Sequence, residues 1–228
     1  MNEFLNISMS LVDAVRNRRS VRGFLDKQVP ETIIRQTFEL AQLSPSNSNI
    51  QPWQVFVASG NICHSIREEL YTLVKKGESI HPDFNYPTKF EDVYRKRQVD
   101  CGMTLYKEMG IAREDKGGRT QALLRNFKFF NAPHMAFVCM KKQFPQSVAV
   151  DVGIYAQTLM LAFTAQGIST CAMGSMREHP QVTRKVFNID KDVGILFGIA
   201  FGYEDTSVPA NNTRMKRAPM EECVTFMS

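Results

Sequence analysis

The stretch VAVDVGIYAQTLMLAFTAQG, residues 148–167, decides the fold. It is nearly long enough to cross a bilayer, which takes about 20 apolar residues. Polar side chains interrupt it at Asp151, Gln157, Thr158 and Gln166. A helix that is apolar almost all round, with a few polar residues, is typical of a protein interior or of a contact between subunits. The stretch therefore predicts a buried helix over 148–166 rather than a membrane span.

Apolar runs on both sides of this helix predict a sheet, and helical patterns separate them. Strands are expected at 53–59, 134–140, 168–173 and 194–203. Helices are expected at 11–17 behind Ser10, from Glu31 through Ala41, at 61–76, at 179–187, and over much of 92–130 with breaks at Gly110 and Gly117–Gly118. Alternating strands and helices indicate an α/β or α+β fold with helices on the sheet faces. The detached tail segment ECVTFM, 222–227, is expected to add a strand to a sheet, in this or another subunit.

The composition limits the classes of function. The net charge of +5 is mild, and basic residues alternate with acids in DVYRKRQVD (92–100) and REDKGGR (113–119). A continuous nucleic-acid face would be more one-sided. The five cysteines are widely spaced, without zinc-ligand spacing, which fits reduced thiols in a cytoplasm. The first residues carry no basic segment and no long apolar run, so a signal peptide is not expected.

Three arginines, Arg18, Arg19 and Arg22, lie beside Ser20 where the first helix should end. A cation at a helix C-terminus contributes about 0.3–1 kcal/mol, which explains one arginine better than three. Guanidinium groups beside a hydroxyl suit a phosphate, which accepts bidentate bonds. An anion site, a solvated charge cluster and a nucleic-acid contact all remain open. The chain has neither GxGxxG after a strand nor GxxxxGK[ST], so neither loop would hold the phosphate.

The remaining polar segments of the sequence contain no recognisable catalytic motif. The loop SPSNSNIQP, 44–52, can satisfy its own backbone by Asx and Ser turns, or it can present donors and acceptors to a polar heterocycle or a ribityl chain. His64, His81, His134 and His179 are scattered, and none has a carboxylate or serine at motif spacing. Anion-binding residues without a hydrolytic constellation indicate that a cofactor carries the reaction.

Five segments stand out along the chain: RRSVRGF (18–24), SPSNSNIQPW (44–53), GISTCAMGS (167–175), FGIAFGYED (197–205) and NNTRMKRAPMEECVTF (211–226). In their sequence and their order they resemble the FMN-dependent nitroreductase family. The resemblance covers nearly the whole chain, and residues 110–133 match the branch with a helical insertion. It implies a single α+β domain over 1–228, with a central mixed sheet flanked by helices and an insertion at 78–130 that shapes the substrate pocket. It also implies an intertwined homodimer with FMN at the interface and an exchanged C-terminal strand.

The resemblance also implies roles for individual residues. Arg18 and Ser20 would hold the FMN phosphate and ribityl chain with Arg19 alongside, and Arg22 would approach the pyrimidine edge of the flavin. The partner subunit would contribute Pro45, Ser46, Asn47 and Asn49, and the backbone of Met173, Gly174 and Ser175 would pass the ring system. Arg217 matches the C-terminal phosphate-contacting arginine. Members often have a basic residue two positions earlier, where this chain has Met215, so Arg214 or Lys216 would replace it.

The implied activity is a ping-pong reduction in which NADH or NADPH reduces the flavin and a small aromatic acceptor, a nitroarene or a quinone, reoxidises it. The flavin carries the chemistry, so no side chain is expected to act as a catalytic acid or base. No metal, membrane or nucleic-acid partner is expected. Two alternatives remain: another flavin reaction on the same fold, such as reductive dehalogenation or dehydrogenation of a metabolite, and a basic nucleic-acid-binding protein.

Overall fold

A computed structural model describes residues 9–86 and 89–227 of the chain. Its helices are α1 (Leu11–Asn17), α2 (Glu31–Ala41), α3 (Gly60–Lys76), α4 (Asp92–Glu108), α5 (Lys116–Phe127), α6 (Ala149–Ala165) and α7 (Pro180–Phe187). Its strands are β1 (Gln54–Ser59), β2 (His134–Lys141), β3 (Ser169–Met173) and β4 (Val193–Gly202). The four predicted strands are confirmed, each with its ends within about one residue of the expected position.

The four strands form one sheet in the order β1-β2-β4-β3, and every pairing between them is antiparallel. A single parallel bridge joins Ser20 to Thr170 on the outer edge of β3. The predicted α+β class is confirmed, and the mixed character of the sheet is confined to this bridge. The chain after α1 therefore runs directly along β3.

The sheet lies between two apolar layers because β2 is buried on both faces. Met135, Phe137 and Cys139 point into the layer that contains residues of α3 and α5. Ala136 and Val138 alternate with them and point into the layer formed with α6. A strand buried on both faces reads as a continuous apolar run, as the sequence of β2 does.

Helix α6 is buried along one face only. The residues of that face are Asp151, Val152, Tyr155, Ala156, Leu159, Ala162 and Phe163. On the opposite face Val150 is 64% exposed and Ile154 is 40% exposed. The segment Gln146–Ala165 is long and apolar enough to span a membrane by length and composition alone. Its packing against α1, α2 and the sheet confirms the prediction of a buried helix for one of its two faces.

The predicted break at Gly117–Gly118 is wrong, because both glycines lie in the first turn of α5. Asp115 caps this helix and accepts the backbone N–H of Gly118 at 2.8 Å. A Cβ on Gly118 would lie 2.3 Å from the Asp115 carboxylate. The missing side chain therefore makes room for the cap, and the cap offsets the low helix propensity of glycine.

The C-terminal tail forms the short 3-10 turn Met220–Glu222, and the described residues after it form no strand within this chain. An ion pair between Arg97 and Glu222, at 2.7 Å, attaches the tail to α4. Phe226 is 78% exposed and Met227 is 95% exposed. The apolar end of the tail is thus uncovered in the single chain.

Candidate functional site

A cavity of about 1300 Å³ lies between the end of α1, the start of β3 and the segment 213–218. Among the described residues that line it, no side chain is an aspartate or a glutamate. Its cations are Arg16, Arg18, Arg19, Arg22, Arg97, Arg214, Lys216 and Arg217. Residues near both ends of the chain therefore bring cations to one cavity, where Arg19 and Arg97 are paired with Glu204 and Glu222.

Arg18 lies within range of the charge of Arg217. Burial and the neighbouring charge of Arg217 lower the pKa of Arg18. Nη1 of Arg217 donates to the carbonyl of Met215 at 3.1 Å, and Nη1 of Arg214 donates to that of Asn211 at 2.8 Å. These bonds leave donors of both forks for a ligand, and an anion between Arg18 and Arg217 would relieve their repulsion.

Arg19 and Arg22 are held differently from Arg18. Arg19 forms a part-buried ion pair with Glu204. The backbone N–H of Arg22 donates to Oδ1 of Asn211 at 2.7 Å. The backbone carbonyl of Arg22 accepts a hydrogen bond from Nη2 of Arg125 at 2.6 Å. The N-terminal cluster is thus fixed to the segments that follow β4, and Arg19 has an acidic partner, whereas Arg18 forms no ion pair with any residue that the structure describes.

Two threonines with buried hydroxyls border the cavity. Thr170 is 2% exposed and Thr213 is 8% exposed, and Oγ1 of each is buried without a hydrogen-bond partner among the described residues. A buried hydroxyl left without a partner costs about 1–3 kcal/mol. A phosphate with a polyol chain would satisfy both hydroxyls and the guanidinium groups.

Strand β3 leads from this cavity to the segment Met173–Ser175. The backbone N–H of Val21 donates to the carbonyl of Thr170 at 3.0 Å, which fixes the arginine cluster at the start of the strand. Three steps along a strand span about 10 Å, so Met173 lies about that far from Thr170. Oγ of Ser175 is buried without a partner among the described residues. The strand thus places the predicted ring-binding backbone about 10 Å from the residue to which the arginine cluster is fixed.

The loop that carries Pro45, Ser46, Asn47 and Asn49 lies away from its own chain's cavity. The backbone N–H of Asn47 donates to Oδ2 of Asp151 near the start of α6. The cavity is lined by Gln157 and Thr164, which lie six and thirteen residues further along the same helix. These separations correspond to about 9 and 20 Å. None of the four loop residues is among the described residues that line the cavity. A single chain therefore keeps these two groups of predicted site residues apart.

This loop is also strained. Ser48, Asn49 and Gln51 have φ angles of 49°, 57° and 46°. Such left-handed conformations cost about 1–3 kcal/mol each in residues other than glycine, and they cluster at functional sites. The backbone N–H of Gln51 donates to Oγ of Ser46 at 2.9 Å, which holds the strained conformation in place.

The histidines and thiols do not form a catalytic group. The described residues contain no cluster of three or more metal-ligating side chains. Nε2 of His134 accepts the backbone N–H of Val29 at 3.0 Å, and its Nδ1 lies 2.7 Å from Oγ of Ser59, so this ring is fully used in the fold. Burial raises the pKa of Cys171, despite nearby Arg22, so this thiol is kept neutral.

Some lining residues were missed at the sequence level. Thr213 stands within the segment NNTRMKR and could have been found from its place beside Arg214. Thr170 and Arg97 carry no local signal, because they reach the cavity only when β3 pairs with residue 20 and α4 packs against the tail.

Comparisons with known proteins agree with this arrangement. The profile of the nitroreductase family matches residues 15–203. The chain is 38% identical over 217 residues to nitroreductase NfnB of Mycolicibacterium smegmatis, covering 93% of this chain and 90% of the relative. It is 33% identical to a 4-nitrobenzoate reductase of Nocardioides sp. strain LMS-CY, covering 93% and 88%.

A solved structure extends the match to three dimensions. The crystal structure of the FMN-dependent nitroreductase NfnB from Mycobacterium smegmatis in complex with NADPH superposes with a TM-score of 0.90 at 36% identity. The match covers 96% of this chain and 100% of the solved chain. This chain belongs to the nitroreductase family.

Proposed function

We propose that the chain is an FMN-dependent oxidoreductase that uses NADH or NADPH to reduce nitroaromatic compounds. The observation that carries the proposal is the cavity that both Arg18 and Arg217 line, with no acid among the described lining residues. A phosphate near charge −2 is the group that such a site would neutralise. The relatives named for FMN, NADPH and 4-nitrobenzoate support the same cofactors and acceptor class.

The chain's own residues would position the cofactor. Arg18 and Arg217 would take the phosphate, Thr170 and Thr213 would bond the polyol chain or the phosphate, and Arg22 would place a positive charge at the pyrimidine edge. Ser20 and the ion-paired Arg19 would hold this segment against β3, while Arg214 and Lys216 would stand in for the basic residue replaced by Met215. When bound, FMN supplies the redox chemistry, accepting hydride from the nicotinamide and reducing the acceptor in turn.

The functional unit is a homodimer in this proposal. Helix α6 exposes Val150 and Ile154, and α1 exposes Leu11 at 71% and Val12 at 55%. Contiguous apolar side chains of this kind mark an interaction surface. A second copy would cover them and would bring its own strained loop, with Pro45, Ser46, Asn47 and Asn49, to the flavin bound in the first.

Two further segments complete the proposed assembly. The tail would exchange between subunits and so bury Phe226 and Met227, which are exposed in the single chain. The insertion 78–130 would border the acceptor slot, because α4 exposes Tyr94 at 65% and Met103 at 63%. A cytoplasmic location fits the five free cysteines of the chain.

Spectroscopy on the purified protein tests the proposal. We expect a yellow dimer with flavin absorbance that bleaches on anaerobic addition of NADPH or NADH and recovers on addition of a nitroarene. Reoxidation of the reduced protein by a quinone and by a halogenated aromatic compound is measured as well. The quinone tests the second expected acceptor class, and the halogenated compound tests for reductive dehalogenation. A colourless monomer without affinity for added FMN would exclude the proposal, and salt-sensitive binding of DNA by that monomer would favour the nucleic-acid alternative.

A further inference from the structure

Arg177 holds its guanidinium group on the face of an aromatic ring. It ends the 3-10 turn Gly174–Arg177, directly after β3. No ion pair of the described residues includes Arg177. Its guanidinium carbon lies 3.8 Å from the centre of the Tyr86 ring. A cation held on an aromatic face keeps its N–H edges free for a further partner.

The guanidinium lies against the backbone of the segment that we propose to pass the flavin. A Cβ on Gly174 would lie 3.1 Å from Nη1 of Arg177, so the glycine makes room for the charged group. Gly174 itself is exposed. Arg177 is half-buried, so part of its side chain is accessible beside this segment, and it is not among the described residues that line the phosphate cavity.

Tyr86 holds the guanidinium in place. Its hydroxyl lies 3.4 Å from the carbonyl of Leu196 on β4. Three residues earlier, both carboxylate oxygens of Asp83 accept from Nη2 of Arg184 at 2.9 Å. The segment that carries Tyr86 is therefore fastened to the sheet and to α7, which fixes the aromatic surface beneath Arg177.

Two ionisable groups lie next to the guanidinium, Tyr86 and Glu178. Burial raises the pKa of Tyr86, so its hydroxyl stays neutral. Burial also raises the pKa of Glu178, although Arg177 acts in the opposite direction. A guanidinium group that is held in place without an ion-paired carboxylate favours an anionic ligand. A neutral ligand at the same place would leave the positive charge unmatched.

We infer that Arg177 selects aromatic acceptors that carry a carboxylate, which its guanidinium binds while the nitro group faces the flavin. The inference rests on the proposed function and names the substrate class of that same site. A carboxylate matches the planar donor fork of arginine in a bidentate pair, whereas a neutral substituent of the same size does not. A site built to bond a polar group discriminates strongly against analogues that lack it.

Matched acceptors test the inference on the FMN-loaded protein. The kcat/KM values for 4-nitrobenzoate and for the neutral 4-nitrobenzamide are measured with saturating NADPH, and their ratio is compared between variants. We expect the wild type to favour 4-nitrobenzoate by roughly tenfold or more, and Arg177→Gln to lower this ratio by roughly tenfold. The exposed Arg113 provides the control, since Arg113→Gln removes the same charge elsewhere.

Variants of Tyr86 separate positioning from charge alone. Tyr86→Phe keeps the ring beneath the guanidinium and should keep the ratio, whereas Tyr86→Leu removes the ring and should lower it. Should Arg177→Gln fail to fold, Arg177→Met is the second uncharged variant. An unchanged ratio in a folded, flavin-loaded Arg177 variant overturns the inference. Failure of the wild type to bleach with NADPH or to reduce either acceptor overturns the proposed function instead.

Discussion

Arg18 and Arg217 face one cavity from opposite ends of the chain, and the charge of Arg217 adds to burial in lowering the pKa of Arg18. Two like charges brought together in a folded protein destabilise it by electrostatic repulsion, unless a ligand of opposite charge binds between them. Neither residue forms an ion pair with a described carboxylate. Their proximity is the feature on which the proposed phosphate site depends.

Replacing Arg217 should weaken FMN binding without unfolding the protein. Bonds to a charged group contribute about 1.5–3 kcal/mol, so Arg217→Gln should raise the FMN dissociation constant by about 10- to 100-fold. Flavin titration of the apoprotein, followed by fluorescence quenching, measures this. Arg113→Gln serves as the exposed control. An Arg217→Gln protein that binds FMN as tightly as the wild type would remove this arginine from the phosphate site.

A charge on the exposed face of α6 should prevent dimer formation. Ile154→Glu would bury a carboxylate in the proposed interface, where an unpaired charge costs several kcal/mol. The exposed Ile62 on α3 offers a matched control, because it is 49% exposed against 40% for Ile154. Sedimentation should show a colourless monomer for Ile154→Glu and a yellow dimer for Ile62→Glu. A fully flavin-loaded dimer of the Ile154→Glu protein would place the interface elsewhere.

The elements of the fold could be predicted where pattern and burial coincide. The run 134–140 is apolar without interruption because β2 is buried on both faces. Helix 148–166 is apolar all round, although one face has no cover in the single chain. The helix break predicted at Gly117–Gly118 is wrong because it was based on the low helix propensity of glycine alone. The hydrogen bond from the backbone N–H of Gly118 to Asp115 stabilises the start of the helix there.

The geometry of the site could not be predicted from local signals. Arg18 and Arg217 meet only after the sheet has formed, and Thr170 becomes a lining residue only because it pairs with Ser20. Phe129 and Phe130 have φ angles of 54° and 53°. This left-handed turn could not be predicted from the sequence, because neither position is a glycine. The resemblance to the family proposed the residues of the site, and the folded chain shows which of them come together within a single chain.

Acid should destabilise the protein through His134. Burial lowers the pKa of His134 to about 4, against about 6.5 in an unfolded chain. The unfolded chain therefore binds the proton first, so this stability is complete above about pH 6.5 and is lost as the pH falls towards 4. The difference corresponds to about 3 kcal/mol at most.

Urea unfolding between pH 7 and 4.5 measures this effect. His134→Gln removes the titrating ring and keeps an acceptor for the N–H of Val29, so we expect lower stability at pH 7 and a shallower fall with acid. The exposed His64 gives the comparison, and His64→Gln should keep the wild-type profile. Equal slopes for the wild type and His134→Gln would assign the acid sensitivity to other groups.

Removing the charge of Asp83 should loosen the segment that carries Tyr86. Asp83 has a side chain only 7% exposed and pairs with both Arg184 and Lys142, and it also accepts the backbone N–H of Ile195 at 3.0 Å. Breaking a buried pair from one side leaves unmatched cations, so Asp83→Asn should cost about 3 kcal/mol. Asp192, whose carboxylate pairs with Lys141 but is 61% exposed, is the matched control and should matter much less. Hydrogen exchange should show faster opening of residues 78–86 in Asp83→Asn and unchanged exchange there in Asp192→Asn. Equal exchange rates of residues 78–86 in the two variants would show that the ion pairs of Asp83 do not stabilise this segment. Tyr86 would then be held against the sheet by its own packing.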